Sequence, residues 1–262
     1  KNMLSIIKIG GNIVDNPEAL DNFLADFSQI NGNKILVHGG GKIATKVSAA
    51  LGIEAQMVDG RRITDAETIK VVTMVYAGLV NKSIVSKLQA LDCNAIGLSG
   101  ADANVIQSHK RVVKTIDYGF VGDVDGVNAS FLKNLLEQET QPVLAPITHD
   151  KKGLLLNTNA DTIASTVAVA MSKVMETQLI YCFELPGVLT DINDKNSVIS
   201  SINLSTYQNL KEEGVIAAGM IPKMDNCFDA INEGVSKVRI AHALDLKAIL
   251  ENGETKGTVL IK

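Results

Sequence analysis

The sequence predicts an α/β fold built on a mainly parallel sheet with helices on both faces, and two observations carry that expectation. Short β-branched or apolar runs recur at Leu4–Ile9, Lys34–Val37, Asn94–Leu98, Pro142–Ile147, Gln178–Phe183, Lys237–Ile240 and Thr258–Ile261. Helical periodicity fills most of the gaps, and parallel strands need such crossover connections. At 262 residues the chain is long enough for one large domain or for two lobes sharing a sheet.

The composition narrows the class further. With 46% hydrophobic and 21% charged residues, the chain reads as globular rather than disordered. No apolar run approaches the roughly 20 residues that span a bilayer, so no membrane is expected. Leu4–Ile9 is broken by Lys8 and followed by two glycines, which makes it a strand and not a signal peptide. Cys93, Cys182 and Cys227 lie far apart without metal-site spacing, which points to a reducing cytoplasmic setting and no structural metal. A net charge of −4 without a basic aromatic stripe argues against nucleic acid.

Taken in chain order, the first strand ends in Lys8-Ile9-Gly10-Gly11, where glycine N–H groups can approach an anion and the lysine adds charge. The second ends in His38-Gly39-Gly40-Gly41 and opens a helix over Ile43–Leu51, a further anion-binding turn. Gly39-x-Gly41-x-x-Ala44 also fits a dinucleotide fingerprint, with Asp59 at the right distance for a ribose, so an NAD-dependent oxidoreductase is a rival reading. No GxxxxGK[ST] P-loop occurs. His38 itself reads as a local hydrogen-bonding residue. Next come Arg61 and Arg62, one of which suits a bidentate carboxylate clamp.

Thr64-Asp65-Ala66-Glu67 forms a capping box opening the longest helix, which Gly78 is placed to bend. Alternation around Tyr118–Asp123 reads as an antiparallel hairpin positioned to cover a site. Asn157-Thr158-Asn159-Ala160-Asp161 precedes a helix over Thr162–Ser172, and capping explains only one of its three polar residues. Pro222 starts a helix reaching about Gly234, and Lys223 beside it sits where the helix dipole repels a cation unless an anion is near. A lobe boundary falls near Ala170–Glu176.

In order, IIKIGG, LVHGGG, GRRIT, GLSGAD, GFVGDV, LNTNAD and GMIPK resemble the amino-acid kinase family, and within it the members that act on N-acylated glutamate. The resemblance implies a three-layer sandwich with a central mainly parallel sheet and a small antiparallel hairpin lid. It also implies an acyl-amino-acid lobe over residues 1–173 and a nucleotide lobe over residues 174–262. The implied reaction is ATP-dependent phosphorylation of the γ-carboxylate of an N-acyl-glutamate, acetyl by default, in arginine biosynthesis. By the same resemblance Lys8 and Lys223 neutralise the transferring phosphoryl group and Asp161 holds both lysines. Gly40, Gly41, Arg62 and Asn157 hold the acylated amino acid, with Arg62 on its α-carboxylate. Gly10 and Gly11 meet the phosphates.

Nucleotide contacts are expected at Glu184, Leu185, Pro186, Gly187, Val188 and Leu189 and at Val215, Ile216 and Ala217. Glu184-Leu185-Pro186 departs there from the Ser-Asp usual in the family. A glutamate side chain is ionised at pH 7, so no general base is needed. Mg2+ is expected on ATP oxygens and water. Because the first strand begins by Leu4, a homodimer insensitive to arginine is expected, without the N-terminal helix that links family dimers into rings.

Overall fold

The computed structural model describes residues 3–216, 218–253 and 255–262. Its strands are β1 Leu4–Ile9, β2 Lys34–His38, β3 Met57–Val58, β4 Arg61–Arg62, β5 Ala95–Leu98, β6 Ile106–Lys110, β7 Gly122–Val127, β8 Gln141–Leu144, β9 Ile147–His149, β10 Leu155–Asn157, β11 Thr177–Phe183, β12 Ser201–Ile202, β13 Lys237–His242 and β14 Thr258–Leu260. Its α-helices are α1 Gly11–Val14, α2 Pro17–Gln29, α3 Gly41–Ala50, α4 Ala66–Val72, α5 Asn81–Gln89, α6 Ala129–Glu137, α7 Ala160–Ser172, α8 Leu204–Glu212, α9 Ile221–Asn232 and α10 Leu246–Glu251. A π-helical stretch, Thr73–Val80, joins α4 to α5.

One sheet runs in the order β12-β14-β13-β11-β1-β2-β8-β5, and every neighbouring pair is parallel except β13 with β14. Both faces are covered, which is why its strands read as near-continuous apolar runs. Period-two alternation divides β1 between the two layers. Leu4 and Ile6 join a core with Ile163, Val167 and Met171 of α7 and Met224, Cys227 and Phe228 of α9. Ile7 and Ile9 join a second core with Phe23 and Phe27 of α2 and Ile84 and Leu88 of α5. Lys8, next in the Leu4–Ile6 register, therefore points into the α7/α9 layer at the carboxyl end of its strand. A second sheet, β10-β9-β6-β7, holds the antiparallel β6–β7 hairpin.

Three expectations change in detail. The run Pro142–Ile147 divides into β8 of the large sheet and β9 of the small one, because Pro146 between them has no N–H to continue a ladder. The hairpin strands are Ile106–Lys110 and Gly122–Val127, and Tyr118–Phe120 lie in their connection. The cap of the long helix is Asp65, whose carboxylate accepts from Thr68 N at 2.8 Å. Thr64 is engaged elsewhere, its hydroxyl donating to Arg62 O and accepting from Asn157 Nδ2. Thr64 also fastens the hairpin connection: its N–H donates to Tyr118 O and its carbonyl accepts from Phe120 N. Gly119 permits this, with φ +75° and a virtual Cβ only 2.2 Å from Thr64 O.

Helix Ala66–Gln89 is 24 residues long and apolar enough to cross a membrane by length and composition. Its residues Val71, Val72, Val75, Tyr76, Val80, Ile84 and Leu88 are instead spent on the second core.

Candidate active site

The carboxyl ends of β1, β2 and β11 open into a cavity of about 1660 Å³. That exceeds the roughly 300–1,000 Å³ of a single small-molecule site, so it has room for two substrates side by side. The register pairs Ile9 with His38, so the glycine turns after β1 and β2 leave the sheet together, about 4.8 Å apart. Gly10, Gly11, Gly40 and Gly41 all line the cavity. Gly40 has φ +149°, which favours glycine, and Gly41 lies close to Arg62, whose Nη2 is 3.8 Å from its virtual Cβ.

Asp161 stands in the first turn of α7, next to Asn159, which caps the helix by accepting from Asp161 N and Thr162 N. Its carboxylate is 2.9 Å from Lys8 Nζ and 3.4 Å from Lys223 Nζ. Burial alone would raise the Asp161 carboxyl, but the Lys8 and Lys223 ammonium groups outweigh it and hold it below its ordinary value. Burial lowers Lys223, and Asp161 only partly restores it. Two cations on one carboxylate leave a net positive charge beside the glycine turns, suited to charge developing on phosphoryl oxygens. Lys8 does not itself line the cavity; its ammonium lies beneath Gly10, 3.7 Å from that residue's virtual Cβ.

On the other side Arg62 extends from β4 and is buried. Its Nη2 donates to Gly41 O and Thr45 Oγ1, both at 2.9 Å, while Nη1 is buried with no partner among the described residues. A guanidinium held on one edge with donors to spare is what a carboxylate clamp requires. Asn157 sits at the end of β10 with its amide nitrogen 3.1 Å from Thr64 Oγ1 and also lines the cavity. Asp59 lies in the turn between β3 and β4, not beside a first strand as a dinucleotide site needs.

Residues 3–242 match the model of the amino acid kinase family. The chain belongs to that family. It is 62% identical over 259 residues to an acetylglutamate kinase of Cytophaga hutchinsonii, covering 98% of each chain. It is 56% identical over 256 residues to an acetylglutamate kinase of Bacteroides fragilis, covering 98% of this chain and 97% of that one. Among solved structures it resembles N-acetylglutamate synthase from Neisseria gonorrhoeae, complexed with coenzyme A and N-acetyl-glutamate, at TM-score 0.83 and 20% identity. That match covers 100% of this chain and 60% of the longer one. Carbamate kinase from Giardia lamblia bound to AMP-PNP aligns at TM-score 0.70 and 15% identity over 100% of this chain and 99% of that one, a likeness of fold.

For an amino acid kinase, the remaining expected residues fall as follows. Glu184, Leu185, Gly187, Val188, Leu189, Val215 and Ile216 line the cavity, whereas Pro186 does not. Along the turn after β11 the chain brings only some side chains inward, and Pro186 is directed elsewhere. Ala217 lies outside the described residues. Glu184 accepts from Asn12 Nδ2 at 3.0 Å, and Asn12 in turn accepts from Lys42 Nζ, a bridge between the two glycine turns.

Sequence reasoning missed Tyr181 and Phe183, whose rings lie 4.8 and 3.9 Å from Lys223 Nζ. Such cation–π contacts hold the lysine on its second side, and Tyr181 OH donates to Asp161 O. Alternation with Leu179 on β11 was a usable signal for their common face. Thr45 was missed too, although it lies one helical turn after Gly41.

Proposed function

We propose that this chain transfers the γ-phosphoryl group of ATP to the side-chain carboxylate of an N-acylated glutamate, as its acetylglutamate kinase relatives are named for doing, in a step of arginine biosynthesis. The observation that carries the reading is Asp161 holding Lys8 and Lys223 beside two adjacent glycine turns, with Arg62 across the cavity. The nucleophile arrives ionised, so the site has only to align and neutralise. Lys223 faces the transferring group, and Lys8 supports it from beneath Gly10. Gly10 and Gly11 offer N–H groups to the phosphates, Gly40 and Gly41 to the acceptor. Arg62 Nη1 takes the α-carboxylate and Asn157 the acyl-amino end.

The nucleotide lies along Glu184–Leu189 and Val215–Ile216, in the part of the chain from residue 174 onward. Asp161 is already engaged by both lysines, and the described residues hold no cluster of three metal-ligating side chains. Mg2+ would be held chiefly by ATP oxygens and water and would supply neutralisation of phosphate charge there. The buried free thiols of Cys93, Cys182 and Cys227 suit the reducing cytoplasm. Met74 and Leu79 are 54% and 57% exposed, and five residues apart in an i→i+5 helix they share one side. A two-fold contact through this side gives a homodimer.

The test is coupled ADP release with N-acetyl-glutamate, other acylated glutamates, free glutamate and carbamate as acceptors. Turnover confined to acylated glutamates is expected. ADP formation that ignores the acceptor, or that favours carbamate, would sink the assignment.

A further inference from the structure

Behind the second glycine turn runs a line of polar groups that the reaction scheme above leaves unused. His38 ends β2 with 0% exposure. Its Nδ1 lies 2.9 Å from Gly39 O and its Nε2 3.0 Å from Asn81 Nδ2. A carbonyl oxygen only accepts, so Nδ1 carries the proton and Nε2 accepts from Asn81. The Asn81 amide is oriented independently: Nδ2 also donates to Val143 O at 3.1 Å, and Oδ1 accepts from Lys82 Nζ at 3.0 Å. Lys82 Nζ donates further to Gly97 O. Every bond runs the same way, from the Lys82 ammonium through Asn81 and His38 to the Gly39 carbonyl.

We propose that His38, backed by Asn81 and Lys82, is a positioning residue that holds the Gly39–Gly40 peptide with its N–H directed at the reacting anion. The proposal rests on the kinase reading and adds to it the group that aims one of its donors. In a planar trans peptide the C=O and N–H point in opposite directions. A Gly39 carbonyl drawn to the buried ring therefore sends the Gly40 N–H the other way, where Gly40 lines the cavity. That N–H donates to no backbone acceptor among the described residues.

Three consecutive glycines have no side chain to fix how their peptides turn, so the orientation must come from outside the turn. Packing supplies part of it, since a virtual Cβ on Gly40 stands 3.2 Å from Val80 Cγ2 and 3.3 Å from Tyr76 Cδ1. The ring supplies the direction. A buried histidine with both nitrogens satisfied is ordinary. What goes beyond that is a carbonyl partner one atom pair away from a cavity donor, at the end of a head-to-tail chain that begins at a cation. Such chains polarise cumulatively and strengthen the last donor. Lys82 is at the solvent end, so screening makes its share the smallest.

The test compares asparagine with leucine at position 38 in the full chain. Asn keeps a side-chain N–H where ring Nδ1 stood but leaves a void, whereas Leu refills the space and has no donor. His38→Asn is expected to keep kcat within about threefold, and His38→Leu to lower it by about 30-fold or more with the KM for ATP unchanged. The Gly40 amide cross-peak in ¹H–¹⁵N spectra should move only in the leucine variant. A purely packing role predicts the reverse order, and either that order or an equal loss in both overturns the proposal. Should His38→Leu fail to fold, exposed Lys82→Met decides: a loss of about two- to fivefold in kcat at unchanged Tm supports the relay, and no loss overturns it. If wild-type protein turns over no acylated glutamate, the kinase reading fails separately, and the Gly40 cross-peak still decides the relay.

Discussion

Replacing Asp161 with asparagine removes one charge and almost no volume, which makes it the sharpest probe of the two-lysine arrangement. The carboxylate lies 3.4 Å from Lys223 Nζ, with 31% of its own side chain and 18% of the lysine's exposed. A unit pair at that separation is worth about 5 kcal/mol at an effective dielectric of about 20 and about 1 kcal/mol in water. Partial exposure puts the loss between these, on the order of 3 kcal/mol, or roughly a hundredfold weaker preference for the charged lysine. Burial already lowers Lys223, so it has little reserve. Only the ammonium form can neutralise a phosphoryl group, so its contribution is present at low pH and fades as pH rises through its titration. Asp161→Asn should therefore lose about 100-fold in kcat and acquire a falling limb at lower pH than any the wild type shows. Coupled ADP release at saturating substrates over a pH series reads both effects. A variant within about threefold of wild type with an unchanged pH profile would refute the claim that Asp161 keeps Lys223 charged.

Lys8→Ala and Lys223→Ala should each lower kcat by about 100-fold, the usual worth of one donor to developing charge, and near-normal turnover in both would remove them from the chemistry. Arg62→Lys should raise the KM for the acylated glutamate by about tenfold or more and leave that for ATP unchanged, because lysine cannot keep the bonds to Gly41 and Thr45 while offering a planar fork. The same KM effect at Arg61→Lys instead would move the clamp by one residue. Burial pushes the His38 ring down to about 4. The unfolded chain thus binds the extra proton first, and stability falls as pH drops from about 6.5 toward 4, by about 3 kcal/mol in all. Urea midpoints across that range should slope less in His38→Asn than in wild type; parallel slopes would mean the ring does not stay neutral in the fold.

Much of the site was legible because its chemistry sits where local rules are violated. Lys8 interrupts an apolar strand immediately before two glycines, and Lys223 occupies a helix start that disfavours cations. Asp161 follows a residue that already caps its helix. Seven of the eight strands of the large sheet were legible for a simpler reason, since both its faces are buried and those strands are apolar runs, whereas the two-residue edge strand β12, Ser201–Ile202, is too short to show a pattern. What escaped depends on distance in sequence. Tyr181 and Phe183 read as core residues of β11, and only the docking of α9 turns their rings toward Lys223. Thr64 matches a capping box, yet its hydroxyl is claimed by Arg62 and Asn157, the latter 93 residues away. Pro146 divides one apolar run between two sheets, which no window across that run reveals.

The π-helical stretch Thr73–Val80 has a consequence for what the chain tolerates. It sets the rotational phase between α4, which follows the Arg62 strand, and α5, which begins with Asn81. Adding one residue to it would turn everything downstream by roughly a quarter of a turn, because a stretch already widened to i→i+5 bonding has no wider turn to absorb the extra residue. Asn81 would leave His38 and Ile84 would leave the core, while overall helical content barely changed. This segment should therefore accept many substitutions on its exposed side, at Met74 or Leu79, and reject a lengthening by a single residue.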